Sequence, residues 1–349
     1  MDTQVYIPEL LAKEMIEVSV YHPSRLEESI QRSSFGIEAM RSRGFKRWIV
    51  MYSGGKDSTA ALIQILEAAK TYQDIQVEVV YSDTRVEIPT LQKYAYNFLD
   101  YLKNKLGIKV HIFEPKPDDT FWTNLIGKGY PPPHQSFRWC TPRLKITPAD
   151  KFIKSLPDKE STLVVTGVRF GESDARDARL NLSCQRGGEC GQGVWYQHSN
   201  RLNVGYFAPI ITWRECDVWD FLNLVAPSWG YPTSDLQDIY MGRETRFGCW
   251  VCTVVSQDRT MQKIVQTQPQ YQPYLDFRNW LVEFGRSPKN RVIKPNGFSG
   301  RLTIDARQKI LARLRKIERQ LNTTLLLDDE YKLIRKYWRN PKYGDKYKE

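Results

Sequence analysis

The sequence predicts an α/β fold: a doubly wound, mostly parallel sheet with helical N-terminal and C-terminal additions. Three observations carry this. Short apolar runs recur between residues 48 and 168, stretches of helical periodicity separate them, and each run ends in Gly, Ser, Asp or charged residues. The stretch up to Arg47 reads as mostly helical, with Leu26, Ile30, Ile37 and Met40 as a loose stripe. Trp48-Ile49-Val50-Met51-Tyr52 is a first buried strand, bounded by Ser53-Gly54-Gly55. A helix follows, its apolar side formed by Ala60, Ala61, Leu62, Ile65 and Leu66. Residues 77–81 are a second strand. Residues 89–106 form a helix with Gly107 in the C-cap position. Residues 109–113 and 161–168, the latter around Leu163-Val164-Val165, are the third and fourth strands. Residues 181–200 are polar and Gly-rich, a loop that holds Cys184 and Cys190. Residues 213–224 read as a helix with Val218, Phe221 and Leu222 inward. Residues 274–284 and 306–321 are amphipathic, the latter through Ile310, Leu314, Ile317 and Leu321. The chain divides into an N-terminal helical segment (1–44), a central domain (45–260) and a basic helical region (261–349).

At 349 residues the chain can bury a full core, and its 26% charged residues are ordinary for a globular protein. No apolar stretch approaches a membrane span. Asp2, Glu9, Lys13, Glu14 and Glu17 interrupt the first residues, so there is no secretory apolar region and a cytoplasmic location is expected. Six cysteines are too few for a disulfide scaffold of this length. In a reducing compartment they are read as metal ligands or reactive thiols. The formal charge of +11 suggests a polyanionic partner.

The strongest local signal is Ser53-Gly54-Gly55-Lys56-Asp57-Ser58-Thr59, between a strand and a helix. Glycines let the backbone turn tightly and present its N–H groups, and the helix N-terminus favours an anion. Ser53, Ser58 and Thr59 offer hydroxyls, and Lys56 can neutralise an oxyanion. Asp57 would repel a bare phosphate and is read as a Mg²⁺ partner. In such sheets ligands sit beyond the carboxyl ends of the strands, which here carry this loop, Ser82-Asp83-Thr84, Glu114-Pro115 and Gly167-Val168-Arg169.

Cys249-Trp250-Val251-Cys252 is a C-x-x-C pair, able to chelate one metal centre or to act as a redox pair. Cys140, Cys184, Cys190 and Cys216 are the cysteine candidates for further ligands. His134 and His198 allow a mixed zinc site, while His22 and His111 read as packing or surface residues. Cys216, beside Trp213 and Val218, reads as a buried structural thiol.

The Gly-rich loop resembles the pyrophosphate-binding loop of the ATP pyrophosphatase group, whose fold is of the adenine nucleotide α-hydrolase-like type. The resemblance implies ATP, cleaved between its α and β phosphates, with Mg²⁺. It implies that Lys56 and Asp57 are catalytic and that Gly54, Gly55 and Lys56 hold the β and γ phosphates. Ser53, Ser58, Thr59, Asp83, Thr84, Gly167 and Arg169 complete the implied nucleotide site, with Glu172, Ser173 and Arg176 following in the same segment. Arg138-Trp139-Cys140-Thr141-Pro142-Arg143-Leu144-Lys145 and Gly248-Cys249-Trp250-Val251-Cys252-Thr253 resemble the cysteine segments of the iron–sulfur sulfonucleotide reductases. This implies a 4Fe–4S cluster on Cys140, Cys249, Cys252 and a fourth ligand, for which Cys190 is preferred and Cys184 is the alternative. Trp139 stands where those reductases have a second, adjacent cysteine. The reductases also use a cysteine near the C-terminus, and no cysteine follows Cys252 here.

The runs Thr120-Phe121-Trp122-Thr123-Asn124-Leu125-Ile126-Gly127-Lys128-Gly129-Tyr130-Pro131 and Arg246-Phe247-Gly248-Cys249-Trp250-Val251-Cys252-Thr253-Val254-Val255 resemble DNA phosphorothioation proteins of the DndC type and their shorter SspD-like relatives. The longer members carry further cysteine-containing sequence just before the C-x-x-C, where this chain has Asp238-Ile239-Tyr240-Met241-Gly242-Arg243. This resemblance covers roughly residues 45–260. It implies adenylylation of a DNA backbone phosphate, then substitution by sulfur from a cysteine desulfurase partner, alongside other DNA phosphorothioation proteins. A tRNA thiolation enzyme and a non-catalytic nucleotide- and cluster-sensing subunit are the alternatives. Residues 301–349 hold 14 Lys+Arg against 7 Asp+Glu. There Tyr331, Trp338, Tyr343 and Tyr347 interleave with Lys332, Arg335, Lys336, Arg339 and Lys346, a pattern that suits nucleic acid or a partner protein.

Overall fold

A computed structural model describes residues 9–171, 177, 196–240 and 248–345; of residues 9–24 it describes the backbone alone. A six-stranded sheet has the order β3-β2-β1-β4-β6-β5, with β1 Arg47–Tyr52, β2 Gln76–Ser82, β3 Lys109–Phe113, β4 Thr162–Thr166, β5 Tyr196–Ser199 and β6 Val204–Phe207. Pairing is parallel between β1 and β4 and between β4 and β6, and antiparallel between β5 and β6. Trp48, Ile49 and Val50 on β1 and Leu163, Val164 and Val165 on β4 are all buried. Consecutive burial means that both faces of the sheet are covered, which is why these strands read as unbroken apolar runs. The fold is thus α/β, with a mostly parallel central sheet and flanking helices.

Contacts divide the chain into two compact units: residues 1–79, 102–109 and 157–236, and residues 80–101, 110–156 and 237–349. In the first, helix α1 (Glu9–Ser42) leads to β1, and helix α2 (Lys56–Thr71) follows it directly. Ala60, Ala61, Leu62, Ile63 and Ile65 of α2 are fully buried. In the second, one core joins Phe121, Trp122, Trp250, Phe277, Ile310, Leu314 and Ile334. Its helices include Gln272–Arg286, Ile304–Leu321 and Asp328–Arg339, with a hairpin of β7 (Arg291–Ile293) and β8 (Ser299–Leu302). Arg307, fully buried, ties these pieces together by donating to the carbonyls of Leu302, Gly127 and Tyr343.

Three sequence expectations change. β5 lies inside the stretch read as a loop. The helix expected over residues 213–224 is the short helix Glu215–Asp220 followed by a π segment, Phe221–Val225. Cys216 is only half-buried, its Sγ 3.7 Å from Asp217 Oδ1, so it is not a core thiol. No helix among the described residues is long and apolar enough to cross a membrane.

Candidate active site

Parallel pairing of β1 and β4, with Met51 opposite Thr166, brings their carboxyl ends to one edge. The Ser53–Gly55 loop and the Gly167-Val168-Arg169 segment therefore meet there. Gly54 has φ 78°, a left-handed turn open to glycine without steric cost. Gly55 is the N-cap of α2, and no side chain caps that helix start. A glycine N-cap has no side chain to offer the first amides of α2, which suits a helix N-terminus that takes an anion. The hydroxyls shape the turn: Ser58 Oγ lies 3.0 Å from Ser53 Oγ and donates to the Gly55 carbonyl at 2.9 Å, as does Thr59 Oγ1.

Charge at this edge is organised as a four-residue network. Lys56 Nζ lies 2.8 Å from Asp57 Oδ2 and 3.7 Å from Glu215 Oε1. Arg169 Nε lies 2.6 Å from Asp57 Oδ1, and its other end reaches Glu215 Oε2 at 3.6 Å. Lys56 and Arg169 are 7% and 4% exposed. Arg169 is thus a buried group aimed at the loop rather than a solvated surface arginine. Among the described residues two cations and two carboxylates balance in this network, and both oxygens of Asp57 face cations. Gly167 is fixed by close approach: a Cβ there would lie 2.6 Å from Ser58 N and 2.7 Å from the Asp57 carbonyl.

In the second unit, the end of β2 belongs to a different cluster. Asp83 is buried and saturated, accepting from Arg85 N at 2.7 Å, Gln92 Nε2 at 3.1 Å and Tyr96 Oη at 2.6 Å. Thr84 Oγ1 donates to Glu87 Oε1 at 2.9 Å and lies 3.6 Å from Cys249 Sγ. Lys145 Nζ pairs with Glu87 at 3.0 Å, and Glu87 and Cys249 form an isolated β-bridge. The C-x-x-C loop is anchored by its middle: Trp250 is fully buried against Trp122, Tyr274 and Phe277. Arg278, also fully buried, donates to the carbonyls of Cys252 and Ser256 at 2.9 Å each and to that of Val255. Three carbonyls held by one buried guanidinium fix the path of residues 252–256. Trp139, in place of a cysteine, is a core residue: it stacks on Phe121 at 5.3 Å and donates Nε1 to the Pro131 carbonyl.

Cys140, Cys249 and Cys252 are all free and half-buried. Burial pushes the Cys249 thiol up; Glu87 adds to this and Lys145 opposes it. Burial likewise raises Cys140, with Cys252 contributing. The Glu87 carboxylate raises the Lys145 ammonium, with further contributions from Cys249 and Cys140. Cys140 and Cys249 therefore share a neighbourhood around Lys145, and each also senses Cys252. A sign test follows. Removing the Glu87 charge lowers the Cys249 pKa, while removing Lys145 raises it. In metal-free protein at pH 8, Glu87→Gln is expected to speed iodoacetamide labelling of Cys249 several-fold, and Lys145→Met to slow it. Peptide-resolved mass spectrometry reads both, and equal rates in the two variants would contradict this electrostatic account.

The sequence profile of the phosphoadenosine phosphosulfate reductase domain matches residues 47–255. The chain belongs to that family. The family domain begins at β1 and includes the Gly-rich loop, Arg169, Glu215 and the three clustered cysteines. An uncharacterized protein of Methanocaldococcus jannaschii is 27% identical over 202 residues, 58% of this chain and 40% of that protein. This chain thus spans about two fifths of that relative's length. Among solved structures, a phosphoadenylyl-sulfate reductase from Candida auris in a phosphate complex aligns with 58% of this chain and 81% of its own, at 17% identity and TM-score 0.35. The U34-tRNA thiolase NcsA from Methanococcus maripaludis, with its 4Fe–4S cluster, aligns with 76% of this chain and 79% of its own, at 12% identity and TM-score 0.40.

Within the family domain the residue types fit a thiolate-held centre: Cys249 and Cys252 are a C-x-x-C pair, and Cys140 is near enough to Cys252 to interact with it electrostatically. Among the described residues, however, no group of three or more His, Cys, Asp and Glu is arranged to hold a metal ion. Such a centre needs a further ligand, and Cys184 and Cys190 lie outside the described residues, as do Glu172, Ser173 and Arg176. His134 Nδ1 lies 3.1 Å from Ser136 Oγ, and His198 is a β5 residue paired with Gly205. His111 packs on Phe152 at 4.5 Å. Two residues of evident importance were not singled out by sequence. Glu215 carries no motif, and its one signal is its place at a helix start. Arg278 looks like one more cation of an amphipathic helix.

Of the aromatic residues expected to offer stacking surfaces near the C-terminus, Tyr331 and Trp338 pack against the core and Tyr347 lies outside the described residues. Trp338 Nε1 donates to the Ile126 carbonyl, Tyr337 Oη to Asp118, and Tyr343 packs edge-on against Tyr337. Lys332, Arg335, Lys336 and Arg339 are exposed, so helix Asp328–Arg339 presents cations outward and aromatics inward.

Proposed function

We propose that this chain is an ATP-using enzyme of sulfur chemistry that cleaves ATP to AMP and pyrophosphate, adenylylating a DNA backbone phosphate that is then substituted by sulfur. The observation that carries the ATP reading is the buried Lys56–Asp57–Arg169–Glu215 network at the uncapped start of α2. Gly54 and Gly55 with the α2 amides receive the β and γ phosphates, and Lys56 and Arg169 neutralise the departing pyrophosphate. Asp57 shares Mg²⁺ with the phosphates once the incoming anion competes for its two cations. Ser53, Ser58 and Thr59 hold the turn. A diester oxygen attacks the α phosphorus without a general base, because a diester is already ionised, so catalysis is positioning and charge neutralisation. A cysteine desulfurase partner supplies sulfur as a persulfide, whose terminal sulfur displaces AMP; a second thiol then attacks the S–S bond, releasing the phosphorothioate and leaving a disulfide that a thiol reductant reopens.

Cys140, Cys249, Cys252 and Cys190 would hold a 4Fe–4S cluster, which supplies an iron-bound site for sulfur and electrons. Lys145, Glu87, Thr84 and Arg278 orient the three described cysteines. The exposed cations of helix Asp328–Arg339 draw in the polyanion, with other phosphorothioation proteins as partners.

The test is an anaerobic preparation assayed for iron, sulfide and pyrophosphate release with DNA, with tRNA, or with neither. About four iron and four sulfide per chain and release stimulated by DNA are expected. Stoichiometric zinc overturns the cluster, stimulation by tRNA alone overturns the DNA substrate, and no release with DNA and partners present makes the chain a sensor rather than an enzyme.

A further inference from the structure

The segment that carries Cys140 also builds a pocket of about 460 Å³, lined chiefly by Asp119, Tyr130, Phe137, Trp139 and Arg143. This is the size of a small-molecule site. Its walls are aromatic. Tyr130 meets Trp139 edge to face at 5.5 Å and lies 6.5 Å from Phe137. Trp139 is held from behind by Phe121 and the Pro131 carbonyl, so its face has one orientation. Phe137 stands at the mouth, 43% exposed, fixed through its backbone to His134. One guanidinium and one carboxylate share the rim. Arg143 lies 3.3 Å from Asp119 Oδ1, donates to Tyr130 Oη at 2.9 Å, and sits over the Tyr130 ring at 5.2 Å. The Arg143 and Asp119 side chains are each more than a third exposed, so an incoming ligand can reach both.

Aromatic faces beside a paired donor and acceptor suit a planar ring with hydrogen-bonding groups on its edge. The edge can be specified. A carboxylate next to a guanidinium matches an edge with two adjacent donors beside an acceptor. Guanine has that order in N1–H, N2–H and O6. Adenine offers one donor beside an acceptor, cytosine one donor and two acceptors, and thymine one donor between two acceptors. In a duplex this edge is occupied, so the base must be unpaired.

We propose that the Asp119–Arg143 pocket takes an unpaired guanine, with Phe137 and Tyr130 against its face, Asp119 accepting from N1–H and N2–H, and Arg143 donating to O6. As a substrate site this rests on the reading that the substrate is a nucleic acid. The test uses the full chain and fluorescein-labelled thymidine oligonucleotides with a central guanine, inosine (which lacks the N2 amine) or abasic site, with GMP as a separate ligand. The guanine oligonucleotide is expected to bind at least about fivefold tighter than the abasic one, within the range that stacking supplies. It is expected to bind several-fold tighter than the inosine one. Phe137→Ala is expected to erase the first difference and Asp119→Asn the second, each ratio being taken within the same variant so that a general change in affinity for the polyanion cancels. Equal affinity for guanine and abasic oligonucleotides overturns the pocket while nucleic-acid binding stands. GMP binding that both variants weaken, without oligonucleotide binding, keeps the guanine pocket and overturns the nucleic-acid reading. Binding of none of these ligands overturns both.

Discussion

Lys56→Ala is expected to lower pyrophosphate release by about a hundredfold or more, the magnitude found when one preorganised group that stabilises developing charge is removed. The network explains why the loss exceeds that of an ordinary surface cation. Lys56 is buried and balances Asp57 and Glu215 together with Arg169. Without it, among the described residues, two carboxylates face one guanidinium, and the network becomes more negative by one charge where a triphosphate must enter. In a water-poor setting that imbalance is felt strongly. The same assay separates two roles for Asp57. If its carboxylate shares Mg²⁺, Asp57→Asn raises the Mg²⁺ concentration needed for half-maximal rate. If it only balances Lys56 and Arg169, the Mg²⁺ requirement stays as in the wild type. A Lys56→Ala protein that releases pyrophosphate at the wild-type rate would remove the loop from the chemistry altogether.

How much of this was legible in the sequence depends on whether the determining contacts are local. β1 and β4 could be read because burial on both faces forces an apolar residue at nearly every position. β5 could not: Tyr196-Gln197-His198-Ser199 has no apolar pattern, and only pairing with β6 makes it a strand. The β7–β8 hairpin has no apolar alternation either; Arg291 of β7 donates to the Gly300 carbonyl of β8, and Arg307 of the following helix holds the Leu302 carbonyl from outside. At the site, the Gly-rich loop was legible because strand, turn and helix start are consecutive. Arg169 was legible only as part of a segment, since its burial follows from the pairing of β1 with β4. Glu215 reaches the same cations from another helix and leaves no local trace. The cysteines followed their motifs, but Arg278 and Trp250, which fix the C-x-x-C loop, act through tertiary contacts. The packing of Tyr337 and Trp338 is hidden for the same reason: spacing among cations says nothing about which face packs on Asp118 and Ile126.

The second large effect is expected at Gly167, where one methyl group suffices. A Cβ at this position would lie 2.6 Å from Ser58 N and 2.7 Å from the carbonyl carbon and oxygen of Asp57. Those are backbone atoms of the first turn of α2, so no rotamer change relieves the overlap. Either β4 or the start of α2 must move. Overpacking of this kind costs about 1–3 kcal/mol, and here the displaced backbone is the anion-binding element itself. Gly167→Ala is therefore expected to lower the midpoint of thermal unfolding by several degrees and to weaken ATP binding by more than its stability loss implies. The control is an alanine placed where space exists: a Cβ at Gly248 would meet nothing within 4 Å. Gly248→Ala is expected to bind ATP as the wild type does, because its open surroundings leave α2 where it was. Calorimetric titration of both folded variants below their unfolding range gives the comparison. A Gly167→Ala protein with unchanged ATP affinity would mean that the approach of β4 to α2 does not set the loop's geometry.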